Sequence, residues 1–466
     1  MSCNSLSAMI QFREICLCDK TMIDALLIGG AGSMCDHTFT NLYAWQTTYH
    51  TAWAEVCGAL VVRFDLSGEG DFGYMIVGGA QLEEIFSRLK SHVDARGERL
   101  HIVCADRAIV ESFKAWAEGR FSVAMWHGEE CFAVCDNPDY QDYIYSVEAL
   151  ATLPGSRYKP KRNHVNKFES KYRWSVEPLA PQHFDECLSL ECRWQQRKAA
   201  DTGEVVDCRE SDEQGAIRRV FGAWSELDAE GLVLKVEDKV VAFTYGSAIS
   251  KTMFCTHTEK ADSAYEGAFP MINREFARAL LARGYELVNR EEDMGLAGLR
   301  RAKEQYNPVR KQERMSLKLL LARELQCRDL WQRVFGDSRE FIDIFLTDVF
   351  RPENLFCREA EGRVVSMAFV VELQTDYGPT GYLYAVATDS NWRGRGFAQG
   401  VVHEAIEEMR HRGYRAAMLI PSHPKLKEFY APLGFMDVEY PLDFSDGFDL
   451  GTGNPACDRA MVLDLR

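Results

Sequence analysis

The stretch from Tyr382 to Ala398, YLYAVATDSNWRGRGFA, constrains this chain more than any other. It reads as a β-strand, a short polar connection, a basic glycine-rich turn and the start of a helix. A junction of that kind leaves backbone N–H groups free at a helix N-terminus, where they and the helix dipole favour a phosphate. Gly394 and Gly396 leave room for a close backbone approach, and Arg393 and Arg395 add charge from their side chains. The helix that follows, over 399–412, carries Val401, Val402, Ala405, Ile406 and Met409 on one face, so its N-terminus falls at the turn.

With 466 residues the chain is too long for one ordinary core, and roughly 100–200 residues per domain predicts two to four domains. Apolar residues at 46% and charged residues at 27% are those of a globular protein, and the longest apolar windows, such as 55–64 and 367–373, fall far short of a membrane span. The opening MSCNSLSAMIQFREI lacks a basic region, an apolar core and a small-residue cleavage site, so the expected compartment is the cytoplasm. Residues 1–8 are polar and read as frayed. A net charge of -16 argues against a general nucleic-acid binder. Fifteen cysteines are scattered through mostly apolar runs. The loose pairs Cys16/Cys18 and Cys131/Cys135 are neither CxxC nor joined to histidines at helical spacing, so buried reduced thiols and no metal are expected.

Along the chain, 59–66 reads as a strand, 81–96 as a helix, 100–105 as a strand and 109–119 as a helix, the alternation of a mixed α/β layer. DHTFTNLYAW (36–45) reads as a helix packing Phe39, Leu42 and Trp45 into a core. From Arg157 to Arg173 seven basic residues face Glu169 alone; the run suits a helix after Pro160 with Val165 and Phe168 inward, or an anion-binding strip. Strands at 231–236 and 239–247 form a hairpin, 251–257 adds a third, and a helix follows at 271–283. Between Thr256 and Phe269 one glycine and several acids stand where a phosphate turn would lie. At 289–303, NREEDMGLAGLRRAK concentrates ionisable groups at a strand end: carboxylates there suit an amine, and Arg300 or Lys303 an anion, while the structural alternative is a ring of salt bridges.

DHTFTNLYAW, DYIY with LATLPGSRYKPKRNHVNKF, and VNREEDMGLAGLRRAKEQYNP together resemble the C-terminal domain of phosphatidylglycerol lysyltransferases and its free-standing bacterial relatives, over roughly residues 9–320. The resemblance implies two tandem halves, each folded like a GNAT acetyltransferase. The lipid-modifying members carry a membrane segment ahead of this domain, and no such span is read here.

The leucine-rich 316–325 reads as a helical bridge to a further module, and two helices in WQRVFGDSREFIDIFLTDVF break at Gly336–Asp337. The strand, the turn and a second strand at 416–421 together resemble the acetyl-CoA motif of the GNAT superfamily, with Arg393, Gly396 and Ala398 on its Arg-x-x-Gly-x-Ala pattern and KLKEFYAPLGF as a further match. The implied donor site comprises Val386, Thr388, Arg393, Gly394, Arg395, Gly396, Phe397 and Ala398. Amine attack on a thioester produces an oxyanion and then a thiolate; backbone N–H groups near 386–388 suit the first, and the Tyr430 hydroxyl the second. Tyr430 could instead be a core aromatic packed with Phe429 and Phe435. Glu372 is the candidate base.

The expected fold is therefore α/β (α+β), three GNAT-like units with mixed central sheets flanked by helices, at 1–170, 171–320 and 321–466, the first two a tandem pair. The expected activity moves an acetyl group from acetyl-CoA to a small-molecule or peptide amine, with Asn289, Glu291, Asp293 and Arg300 binding the acceptor. The alternatives are an aminoacyl-tRNA-dependent transferase in 9–320, with tRNA on the basic strip, or a ligand-sensing module that regulates the acetyltransferase.

Overall fold

In a computed structural model the described residues are 9–29, 32–67, 70–117, 132–202, 211–438 and 459–465. Residues 1–8 and Cys131, named above, lie outside them. The chain divides into two units, one of Met1–Trp116, Pro138–Asp293 and Gly298–Met315, the other of Ala117–Asn137, Met294–Ala297 and Ser316–Arg466.

In the first unit, strands Arg13–Glu14, Ala52–Val56, Ala59–Asp65 and Phe72–Gly78 pair antiparallel in chain order, and His101–Ala105 joins parallel to Phe72–Gly78. Helix Leu82–Arg96 makes that crossover, burying Ile85, Phe86, Leu89 and Val93, and ends on Gly97 in the left-handed conformation at φ 69°. The second sheet runs Arg310–Gln312, Asp142–Ser146, Leu287–Asn289, Met253–Ala261, Lys239–Ala248, Glu230–Val236, Trp174–Pro178. Only Met253–Ala261 and Leu287–Asn289 are parallel neighbours.

Two expectations change here. Asp142–Ser146 sits inside the second sheet, between Leu287–Asn289 and Arg310–Gln312, so the first half does not run to residue 170. Residues 117–137 group with the C-terminal unit. The two halves of the first unit also share a core, in which Trp53, Leu60, Val62 and Met75 cluster with Ile217, Val220, Phe243 and Tyr245. Burial of apolar surface is non-directional, so it can join segments far apart in sequence.

Met315–Leu319 is a strand rather than the start of a helical bridge; in the second unit helix begins only at Ala322 and runs to Phe335. It stops at Gly336, φ 79°, and Ser338 caps the next helix, Arg339–Ile344, by accepting the Phe341 N–H at 3.2 Å. The sheet order is Leu355–Ala360, Arg363–Thr375, Gly378–Thr388, Ala416–Leu419, Met461–Asp464, Met436–Asp437. Helix Phe397–His411 buries Val401, Val402, Ala405, Ile406 and Met409, the face read from the sequence.

Cys16 and Cys18 are joined by a disulfide, against the expectation of reduced thiols, while Cys35, Cys104, Cys135, Cys187, Cys255 and Cys327 are free and buried. Among the described residues no helix is long and apolar enough to cross a membrane.

Trp331 anchors the second unit's core: it is 1% exposed, touches Phe345, Phe369 and Tyr384, and donates its indole N–H to Asp337 at 2.7 Å. Trp331→Ala should destabilise this unit by about 3–5 kcal/mol, read from urea unfolding followed by circular dichroism.

Candidate functional site

The basic turn is exposed and its geometry is set locally. Asp389 caps a short 3-10 turn, Ser390–Trp392, by accepting the Asn391 N–H at 3.0 Å, and is itself paired with Arg333 at 2.9 Å. Gly394 and Gly396 have φ of 72° and 83°, and a Cβ on either would meet nothing within 4 Å. Left-handed backbone, rather than crowding, is what requires glycine at both positions. Gly396 is the N-cap of helix Phe397–His411, and the N–H groups of Gly394 through Gln399 have no backbone acceptor among the described residues. Arg393 donates to the Thr388 carbonyl at 3.2 Å, and the Arg395 guanidinium lies over the Trp392 ring at 4.7 Å. Phe397, the first residue of the helix, meets Trp392 edge-on at 5.6 Å, and Ala398 is the second.

Strand Gly378–Thr388 leads to this turn. It pairs with the parallel strand Ala416–Leu419 only at Thr380, Gly381 and Tyr382, and then continues for six residues after the two part. Val386 and Thr388 lie on that freed edge. Ala385, a non-glycine residue at φ 48°, stands opposite the register shift between Met367 and Phe369, so a bulge re-aims the backbone just before Val386. Tyr430, on helix Lys427–Tyr430, shares an apolar cluster with Leu383 and Val386 and is flanked by Phe429 and Phe435 at 4.9 and 5.9 Å. Burial raises its pKa, so the hydroxyl keeps its proton throughout the physiological range. Glu372 stands elsewhere. Its register partner is Gly381, at the end where the strands are still paired, five residues and roughly 16 Å of strand from Val386.

The second sheet of the first unit repeats this arrangement with one difference. Met253–Ala261 pairs with the parallel strand Leu287–Asn289 only through Met253, Phe254 and Cys255, and then continues for six residues past it, still paired on its other side with Lys239–Ala248. The helix Ala268–Ala282 that follows is also opened by a left-handed glycine, Gly267 at φ 91°. Here the approach is closed: a Cβ on Gly267 would lie 2.6 Å from the His164 carbonyl oxygen and 3.2 Å from the Phe168 Cβ. The basic helix Lys159–Lys171 covers the place, with Val165 and Phe168 inward as expected. Much of its charge is spent internally: Arg162 on the Leu153 and Gly155 carbonyls, Lys167 on Glu266, Lys161 on Gln305.

The segment at 289–303 divides in two. Asp293 is fully buried and accepts from Tyr143 at 2.6 Å and from Arg300 at 2.9 and 2.7 Å, while Arg300 also pairs with Asp139. Asn289 and Glu291 enter a different cluster. Asn289 donates to Asp142 at 2.7 Å and to the Ser33 carbonyl at 3.0 Å, and its own carbonyl accepts the Glu291 N–H at 2.7 Å. Glu291 sits at φ 60°, and its Oε1 lies 3.0 Å from His257 Nδ1. Lys303 donates to the Arg290 and Glu291 carbonyls at 2.6 and 3.1 Å, holding the loop from behind. Around these stand Cys35, Asp36, Glu292 and Arg314, whose guanidinium is 2.9 Å from Asp36 and 3.8 Å from Glu292.

Burial dominates the electrostatics. It pushes the Asp142 carboxyl up to about 7, with Glu292 adding to the effect, raises Glu291 well above the ordinary carboxylate range and lowers His257 to about 4. Sequence reading missed Cys35, Asp142, Cys255, His257 and Arg314. The available signal was Cys-x-His at 255–257, two ligand-type side chains close together on one strand.

Asp142 faces Glu292, Asp36, Arg314 and Asn289. Between about pH 4, the range of an unfolded aspartate, and about pH 7, the native state keeps a proton that the unfolded chain has released. The contribution of Asp142 to stability therefore falls as pH rises through that window, by at most about 1.4 kcal/mol per pH unit, and is flat above it. Asp142→Asn should flatten that part of the slope in denaturant titrations at successive pH values.

Residues 31–317 match the family described as phosphatidylglycerol lysyltransferase, C-terminal, and residues 321–437 match an acetyltransferase (GNAT) domain. A conserved protein of unknown function from Bacteroides thetaiotaomicron is 32% identical, with a TM-score of 0.59 over 67% of this chain and 100% of its own. L-PGS from Bacillus licheniformis is 16% identical, with a TM-score of 0.44 over 64% of this chain and 91% of its own. A GNAT family N-acetyltransferase from Escherichia coli in complex with CoA is 16% identical, with a TM-score of 0.24 over 32% of this chain and 78% of its own. No curated protein matches the chain. The chain belongs to the phosphatidylglycerol lysyltransferase C-terminal family, continues into a GNAT acetyltransferase domain, and is accordingly a transferase of acyl or aminoacyl groups.

Proposed function

We propose that the second unit moves an acetyl group from acetyl-CoA to an amine, and that the first unit carries the element that binds the acceptor. The observation that carries this reading is the pairing of an open left-handed glycine turn, its N–H groups from Gly394 to Gln399 without backbone acceptors, with a strand edge freed from Leu383 onward. Together they offer a donor for a pyrophosphate and a run of about 20 Å of backbone for an extended amide-bearing arm. Arg393 and Arg395 supply countercharge at the turn, and Gly394, Gly396, Phe397 and Ala398 the backbone.

In this reading the amine nitrogen attacks the thioester carbon, and backbone N–H groups at 386–388 hold the oxygen that becomes negative. The C–S bond then breaks and the sulfur takes the Tyr430 hydroxyl proton. The proton lost from the amine goes to solvent, which also reprotonates the tyrosine. Glu372 has no part in these steps, because its register places it at the paired end of the strands. For the acceptor, Asn289 and Glu291 lie at the parting of the first unit's parallel strands, where Asp36 and Glu292 stand near Asp142 and Glu291, two carboxyls whose pKa burial raises. A cationic amine, of a small molecule or a peptide, would favour the ionised form of both carboxyls and be held by them. Asp293 and Arg300, spent on each other, position the segment. Family membership supports a second reading, aminoacyl transfer in residues 9–320.

Calorimetry of the full chain with acetyl-CoA should give one binding event, lost in Gly396→Glu, where a carboxylate would stand at the helix N-terminus. No binding, or binding unchanged in that variant, sinks the proposal. In an amine-acceptor screen, Tyr430→Phe should lower kcat about 10²–10⁴-fold with donor affinity unchanged. For the second reading, tRNA binding at low salt that falls steeply as salt rises is the required result.

A further inference from the structure

The first unit holds a set of donor atoms of which the proposed acceptor site uses Glu291 alone. Cys255 and His257 are two residues apart on strand Met253–Ala261; His257 is the extra residue of a bulge opposite Tyr245 and Gly246, and its ring lies with the Cys255 thiol, their donor atoms within 4.8 Å. The parallel ladder pairs Cys255 with Asn289, and Glu291 follows two residues later, its left-handed backbone turning the carboxylate toward both. The Glu291 Oε1 is 3.0 Å from His257 Nδ1 and 3.9 Å from Cys255 Sγ, and all three donor atoms lie within 4.8 Å of one another. With metal–ligand distances of about 2.0–2.3 Å, the edges of a zinc tetrahedron are roughly 3.3–3.6 Å. These two spacings lie within a few tenths of an ångström of that range, and the third, between Cys255 and His257, is at most 4.8 Å.

The second nitrogen of the histidine is held as a ligand's would be. His257 Nε2 lies 2.8 Å from Ser247 Oγ and 3.4 Å from Thr38 Oγ1, which fixes the ring and leaves Nδ1 to the ion. The surroundings favour a cation independently of these ligands. Asp142, Glu292 and Asp36 all act on Cys255, and the Oδ1 of the fully buried Asp142 has no hydrogen-bond partner. The Glu291 side chain is 25% exposed and provides a way in.

We propose that Cys255, His257 and Glu291 bind one divalent ion of the zinc type. Thiolate with imidazole selects zinc over magnesium or calcium, which prefer all-oxygen sites. Two other donor groups occur among the described residues. Cys35, Asp142 and Glu292 already have the Arg314 guanidinium 3.8 Å from both Cys35 Sγ and Glu292, and Cys16 with Cys18 forms the disulfide. The ion and a cationic amine would draw on the same carboxyls, Glu291 among them. The proposal stands whether or not acetyl-CoA binds, and its test uses no acceptor.

The full chain, stripped with a chelator and kept reduced, is titrated with Co²⁺ and followed by absorbance. About one equivalent should bind with a thiolate-to-cobalt charge-transfer band that Zn²⁺ displaces. The band should vanish in Cys255→Ser, persist in Cys35→Ser and Cys16→Ser, and Ser247→Ala should weaken binding about 10–100-fold. Should Cys255→Ser fail to fold by circular dichroism, Glu291→Gln takes its place and should weaken binding at least about tenfold. Absence of the band in folded protein, its survival in Cys255→Ser, its loss in Cys16→Ser or Cys35→Ser, or unchanged affinity in Glu291→Gln each overturns the proposal.

Discussion

The Asp142 carboxylate is the interaction on which the first unit's polar centre depends. Fully buried, it accepts the Cys35 N–H and the Asn289 side-chain amide, each at 2.7 Å, and so ties an early loop, a strand transferred between halves and the end of a third segment. Leaving either donor unpaired in so dry a place would cost about 1–3 kcal/mol, so the three segments are held as a set. The strand carrying Asp142 is locked further by main-chain bonds from Tyr143 to the Glu291 carbonyl at 3.1 Å and from Arg290 to the Tyr143 carbonyl at 3.0 Å. Those bonds hold Glu291 in its left-handed conformation and thereby direct its side chain at His257.

The two units use one backbone device for different ends. In each, a parallel strand pair parts after three residues and the following helix is opened by a left-handed glycine, Gly267 in one and Gly396 in the other. At Gly396 the surrounding space is open; at Gly267 the carbonyl of His164 fills it. A phosphate needs free N–H groups and space, which the turn at Gly396 offers and the turn at Gly267 does not. The parted strands of the first unit present thiol, imidazole and carboxyl instead, and this gives that half a chemistry of its own.

Legibility followed sequence separation. The RGRGFA turn, the buried face of the helix after it, the break at Gly336 and the inward Val165 and Phe168 rest on neighbours within a turn or two, and all could be read directly. The helix expected over 316–321 failed because leucine content was weighed above the alternation in Met-Ser-Leu-Lys-Leu, whose period is that of a strand. Glu372 stands near the end of the preceding strand, which made it the candidate base. Register set it opposite Gly381 and out of reach of the freed edge. Asp293 and Arg300, grouped with Asn289 and Glu291 by sequence, are drawn by Tyr143 and Asp139 into a separate ion-pair network.

By itself, then, the sequence determined the glycine turn at 393–398, the buried faces and ends of individual helices and the lysyltransferase and acetyltransferase resemblances, because helix faces, caps and glycine conformations are decided by residues a few positions apart. The tertiary structure alone decided which half of the duplicated device stays open, which strand crosses between sheets, and that Cys255, His257 and Glu291 meet. Those outcomes depend on burial and on hydrogen bonds between segments more than a hundred residues apart, such as the bond from Asn289 to Asp142, and such pairings leave no local trace in a single chain.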